Sequence, residues 1–169
     1  LIRRGGRVLD VACGSGRHVR WLAERGWQLT GVDRDAEALG PLRDIARVVV
    51  ADIEGSPWPL EGERFDGIVV TNYLWRALLP TIVDSLAAGG VLIYETFASG
   101  NETVGKPSRP DFLLRPGELL RACEGLRIVA YEDGFLDKPE RFLQRVAAVR
   151  ESHRVDAPPR FTLAPSAAR

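Results

Sequence analysis

Methionine is absent from all 169 residues, position 1 included. The expectation is therefore a portion of a longer chain, with an upstream segment that helps to cover the site. Cysteine is scarce. Cys13 and Cys123 are the only two, too few for a disulfide framework or a cysteine metal cluster, and they suit a reducing cytoplasm. No stretch approaches 18 consecutive apolar residues, and the charged start Leu1-Ile2-Arg3-Arg4 is followed by no signal-peptide core. The reading is a soluble, unexported, cytoplasmic protein with no membrane partner. A net charge is also missing: Lys+Arg and Asp+Glu both number 23. A domain that lives on a phosphate backbone carries a basic excess, so nucleic acid is disfavoured as the main partner. Aromatic residues make up only 8%, but the 45% apolar content is enough for the core of one domain.

What is present is concentrated near the start. The run Val8-Leu9-Asp10-Val11-Ala12-Cys13-Gly14-Ser15-Gly16-Arg17-His18 reads as an apolar strand, an acid, a small-residue turn and the first turn of a helix. The chain returns as Gly31-Val32-Asp33, with a second acid at a strand end. This is the layout of an α/β crevice for a ligand that carries a ribose and lies against bare backbone. A dinucleotide fingerprint needs a third glycine at position 19, where Val19 stands. Asp10, unwelcome beside phosphates, suits a cationic amine or sulfonium.

Periodicity predicts strands 7–12, 28–33, 47–51, 65–71, 90–97, 126–135 and 140–150, with helices 16–26, 35–44, 75–88 and 116–124. Asp35 can cap the second helix, and Pro41 makes it short or broken. Gly67-Ile68-Val69-Val70 and Val91-Leu92-Ile93-Tyr94 are continuous apolar runs, as parallel strands covered on both faces require. The alternation gives a doubly wound α/β sheet. Residues 98–115 break that rhythm as a Gly/Pro-rich excursion long enough to suggest function. The last two strands are joined by a short connection, so they form an antiparallel hairpin. Residues 1–151 are read as one domain and 152–169 as a mobile tail.

The ordered motifs over about 7–151 resemble the class I S-adenosylmethionine-dependent methyltransferases. The resemblance implies a mostly parallel seven-stranded sheet of order 3-2-1-4-5-7-6, with strand 7 antiparallel and helices on both faces. It implies S-adenosyl-L-methionine as the cofactor. Val8 to Gly16 looks like the first motif, with Ala12 where many members have glycine, and Ala12, Cys13, Gly14 and Gly16 form the loop over which the cofactor lies. Asp33 then accepts the ribose hydroxyls, with Arg34 beside it. Asp52 stands near the adenine amino group and Ile53 packs on the ring, while Asp10 and Asn72 complete the cofactor set. Glu95-Thr96-Phe97 and the segment after it are loosely similar to tellurite-resistance-type bacterial methyltransferases.

On that resemblance the reaction is in-line transfer of a methyl group to a small-molecule acceptor, needing neither metal nor covalent intermediate. Tyr73 and Glu95 are the candidate catalytic residues; Tyr73, Thr96, Phe97, Asn101 and Arg109 are candidate acceptor contacts. Thr71-Asn72-Tyr73-Leu74 stands at the end of the fourth strand in place of an Asn/Asp-Pro-Pro-Tyr/Phe motif, which weakens methylation of nucleic-acid bases or protein Gln. His18 reads as a neutral hydrogen-bonding or packing residue. Two other classes compete: a nicotinamide-dependent oxidoreductase on the same architecture, opposed by Val19 and Asp10, and a non-catalytic cofactor-binding module.

Overall fold

The computed structural model describes residues 1–152, 160 and 161; most of the expected tail 152–169 lies outside them. Seven strands form one sheet: β1 (Arg7–Val11), β2 (Gln28–Asp33), β3 (Arg47–Val50), β4 (Phe65–Thr71), β5 (Leu86–Phe97), β6 (Arg127–Asp137) and β7 (Glu140–Val149). Their order is β3-β2-β1-β4-β5-β7-β6. The first five strands pair in parallel, and β7 runs antiparallel to both β5 and β6. This is the expected topology, down to the reversed strand that the short hairpin demands.

Alternation along the strands sorts side chains onto two faces. On one face Leu9, Val11, Val32, Ile68, Val70, Leu92 and Tyr94 join Leu78, Ile82 and Leu119 in the larger core. On the other, Val8, Leu29 and Val69 meet Val19, Leu22, Leu39 and Leu42 in a smaller one. Val19 is fully buried there. The position where a dinucleotide fingerprint has glycine is thus filled by a packed core residue.

The helices are shorter than periodicity predicts. α1 spans Arg17–Ala23, and the chain leaves it through Gly26 in the left-handed region. α2 covers only Ala36–Leu39 before Gly40–Leu42 tightens into a 3-10 turn at Pro41. The Asp35 carboxylate accepts from the amides of Glu37 and Ala38, both at 3.0 Å, as the expected cap. The third predicted helix, 75–88, is cut at both ends. A 3-10 turn takes Arg76–Leu78, α3 covers Leu79–Asp84, and β5 already begins at Leu86. The register shift between Phe65↔Leu86 and Gly67↔Val91 explains that early start, because Gly89-Gly90 lets the strand bend and resume pairing. α4 (Glu118–Ala122) begins after Gly117, leaving Pro116 outside it.

The excursion 98–115 is tied down. The Leu114 amide donates to the Phe97 carbonyl at 2.9 Å, and the Ser99 amide to the Leu114 carbonyl at 2.9 Å. Arg76 reaches across with every arm of its guanidinium: Nε and Nη2 to Glu118, Nη1 to the Asp111 carbonyl and Nη2 to the Leu113 carbonyl.

Candidate functional site

A cleft of about 360 Å³ opens at the carboxyl ends of β1, β2 and β3, beside the point where strand order reverses. Ala12, Gly14, Asp33, Arg34, Asp52, Ile53 and Tyr73 all line it, together with Asp35, Ala51 and Glu54. Residues far apart in sequence thus meet where parallel-strand ends must place them.

The glycine loop is shaped for close approach. Ala12 has φ 52° and Gly14 φ 52°, both left-handed. Ala12 tolerates this with some strain, which is why glycine is the easier residue there. A Cβ at Gly14 would meet nothing within 4 Å, so its backbone faces open space, whereas one at Gly16 would run into Leu42. Gly14 therefore serves the cleft and Gly16 the packing of α1.

Asp33 holds this loop in place. One carboxylate oxygen accepts from the Gly14 amide at 2.8 Å and the other from the Asp35 amide at 3.0 Å. Each oxygen keeps a second lone pair for a ligand hydroxyl. Asp52 does comparable work in its own turn: Oδ1 accepts from the amides of Glu54 at 3.0 Å and Gly55 at 3.2 Å. That turn brings Glu54 into the cleft wall. Asp35, expected only as a helix cap, lines the wall as well, as do Ala51 and Glu54, and Asp52-Ile53-Glu54-Gly55-Ser56 has the composition of an Asx turn.

Besides Gly16, three residues grouped with the cofactor loop stand outside the cleft's lining. Asp10 is 1% exposed beneath the loop, with Oδ2 unpartnered among the described residues. Burial pushes its carboxyl up to about 7 against the lowering pull of Arg17, and Asp33 adds to the rise. The Cys13 thiol turns back toward Gly31. Burial, then the charges of Asp10 and Asp33, push it up to about 12, so it is no nucleophile. Asn72, at φ 54°, is exposed and donates its amide to the Glu95 carbonyl at 2.9 Å.

The acceptor-side candidates are spread over several environments. Tyr73 is in the cleft wall, its hydroxyl buried and without a hydrogen-bond partner among the described residues. Burial and the neighbouring Glu54 raise its pKa, so it is a neutral phenol rather than a base. Glu95 faces two guanidiniums: Arg145 Nε lies 2.9 Å from one oxygen and Arg141 Nη2 4.0 Å from the other. Thr96 is only 2% exposed, on the core side of β5. Phe97 is half-buried opposite Leu143. Asn101, 1% exposed, donates Nδ2 to the Pro107 carbonyl at 3.0 Å and accepts at Oδ1 from the Phe142 amide at 3.2 Å. Its side-chain amide thus holds the excursion to β7. Arg109 pairs with Asp111 at 2.9 Å in a separate groove with Trp75 and Phe112. No helix among the described residues is long and apolar enough to cross a membrane, and no group of three metal-ligating side chains occurs among them.

Comparison with known proteins agrees with this geometry. Residues 8–90 match the family model described as a methyltransferase domain. Among solved structures, the chain is similar to TehB from Haemophilus influenzae, with 22% identity, a TM-score of 0.69, and coverage of 87% of this chain and 58% of that one. It thus spans less than two thirds of that relative's length. A TehB-like SAM-dependent methyltransferase from Corynebacterium glutamicum shares 23% identity at a TM-score of 0.64, covering 88% of this chain and 82% of that one. The N-methyltransferase NodS from Bradyrhizobium japonicum shares 19% identity at a TM-score of 0.65, covering 88% of each chain. No curated protein matches the sequence.

Proposed function

We propose that this chain, whose residues 8–90 match the methyltransferase-domain model, is a class I methyltransferase that holds S-adenosyl-L-methionine in the cleft and methylates a small-molecule acceptor. The observation that carries this reading is the charge of the cleft wall. Asp33, Asp35, Asp52 and Glu54 line it against the single cation of Arg34. Such a wall favours a cationic adenosine derivative and repels a pyrophosphate, which opposes the nicotinamide alternative.

The residues present fit that ligand. Asp33 has lone pairs left for a ribose diol at the end of β2, the open backbone of Gly14 admits a close neighbour, and Ile53 offers an apolar surface beside Asp52. Tyr73 closes the same wall, and its unpartnered hydroxyl is available to a polar group of the ligand. When bound, the cofactor supplies an electrophilic methyl group on a sulfonium whose departing thioether is neutral. The chain's part is to orient the two reactants and exclude water. A small acceptor agrees with the balanced charge and with Thr71-Asn72-Tyr73-Leu74 at the end of β4.

Calorimetric titration with S-adenosylhomocysteine, set beside NADH, tests the reading. S-adenosylhomocysteine should bind, and Asp33→Ala should weaken it by about 1–3 kcal/mol through the unpaired diol. Binding of NADH in its place would overturn the assignment. A panel of small acceptors, scored by S-adenosylhomocysteine formation, separates an enzyme from an idle binder.

A further inference from the structure

Two ionisable side chains stand on the side of the glycine loop away from the adenosine cleft. His18 lies in the first turn of α1, half-buried, with Nδ1 3.5 Å from Thr71 Oγ1 at the end of β4 and Nε2 3.3 Å from Arg17 Nη2. Glu95 is on the neighbouring strand, directly opposite Thr71 in the β4–β5 register. The strand order places this pair on the far side of β1 from Asp33 and Asp52. A ligand whose sugar is held at the end of β2 and which crosses the glycine loop would present its other end on this side.

The two groups differ in availability. The oxygens of Glu95 face Arg145 and Arg141, and Arg145 also donates to Glu132 at 2.9 Å. Glu95 is thereby a tether between β5 and β7. The contacts of His18 instead fix its tautomer. A guanidinium has no acceptor, so Nε2 facing Arg17 must be the bare nitrogen, and Nδ1 carries the hydrogen toward Thr71. Burial lowers the imidazole's pKa, the Arg17 charge lowers it further, and Glu95 opposes them. The ring is therefore neutral near pH 7, with one basic lone pair that faces the exposed Arg17.

We propose that His18 Nε2 receives the proton that the methyl acceptor loses, with Thr71 orienting the ring through Nδ1. This rests on the methyltransferase reading above. As the acceptor heteroatom bonds the methyl carbon, the C–S electron pair stays on sulfur and the acceptor's proton passes to Nε2. The imidazolium, flanked by Arg17 and Glu95, then releases that proton to solvent.

The chain has only two histidines, His18 and His153, so proton NMR gives two imidazole Hε1 signals, and His18→Gln assigns them. Titrations are run on the free protein, with saturating S-adenosylhomocysteine, and with saturating S-adenosylmethionine. The two ligands differ by one methyl group and one positive charge. S-adenosylmethionine should lower the His18 midpoint by about one pH unit or more beyond S-adenosylhomocysteine, as expected if the added positive charge lies near the ring. Equal midpoints with both ligands bound would overturn the role of His18 and leave the methyltransferase reading intact. Failure of either ligand to bind would sink that reading and this inference with it. On an acceptor returned by the panel, His18→Gln should cut kcat at least about 100-fold and remove the acidic limb of its pH profile, with cofactor affinity unchanged. Retention of that limb would also overturn the proposal.

Discussion

Asp10 shows how much one residue beneath a loop can set. Its burial is a cost the fold bears for a carboxylate in an apolar seam, with Arg17 too exposed to cancel it. The folded-state pKa of about 7 lies above the unfolded value of 3.8. Between these values the native state holds a proton that the unfolded chain has lost, so stability falls as pH rises through that window. Asp10→Asn abolishes this titration and keeps an acceptor oxygen. The variant should therefore gain about 2–3 kcal/mol on wild type between pH 5 and pH 8. Urea unfolding of both proteins across that range checks it, and a constant difference would mean that Asp10 does not titrate there. Asp10, Asp33 and Asp52 stand out in the sequence because each is an acid within or just after an apolar strand run. The sequence does not reveal that Asp10 lies under the loop rather than in the cleft, since that depends on which face of β1 packs against α1.

At the scale of elements, the strands were readable and the helix lengths were not. Continuous apolar runs mark β1, β4 and β5, and the short connection between the last two strands, Lys138-Pro139 in the structure, marks the β6–β7 hairpin. Helix 75–88 failed because the bulge between β4 and β5 draws residues 86–89 into the sheet, a tertiary preference with no local signal. The excursion 98–115 was visible as Gly/Pro-rich, but what holds it is a distant arginine. Arg76 bridges the β4–α3 connection to Asp111, Leu113 and Glu118, with contacts of 2.7–3.0 Å. Arg76→Ala strands two carbonyls and leaves the Glu118 carboxylate with only the Arg115 amide. With a discount for partial exposure of the arginine, it should cost about 2 kcal/mol. Hydrogen exchange gives the sharper readout. The amides of Ser99 and Leu114 should exchange faster in the variant while those of β1 and β2 keep their protection. Arg76→Lys should not rescue them, because an ammonium cannot reproduce the planar fork. Unchanged exchange at Ser99 and Leu114 would show that the excursion holds without the clamp.

For the whole molecule, a formal charge of zero conceals a segregated field. Equal numbers of acids and bases leave no long-range attraction for polyanions. Locally, however, four carboxylates and one guanidinium line the cleft, a net of three negative charges. Acting over about 10 Å at the dielectric of water, three such charges are worth about 1 kcal/mol to a passing cation. S-adenosylmethionine carries one more positive charge than S-adenosylhomocysteine, and the two otherwise share their polar groups. The cleft should therefore prefer the charged form in low salt and lose part of that preference as the Debye length shrinks. The ratio of the two Kd values, S-adenosylhomocysteine over S-adenosylmethionine, should fall about threefold between 20 and 500 mM salt. Charge reversal at the rim, as in Glu54→Lys, should flatten that dependence without touching Asp33. A ratio that ignores salt in the wild type would mean that the carboxylates act on the ligand only through hydrogen bonds, and the field of the cleft would then play no part in distinguishing substrate from product.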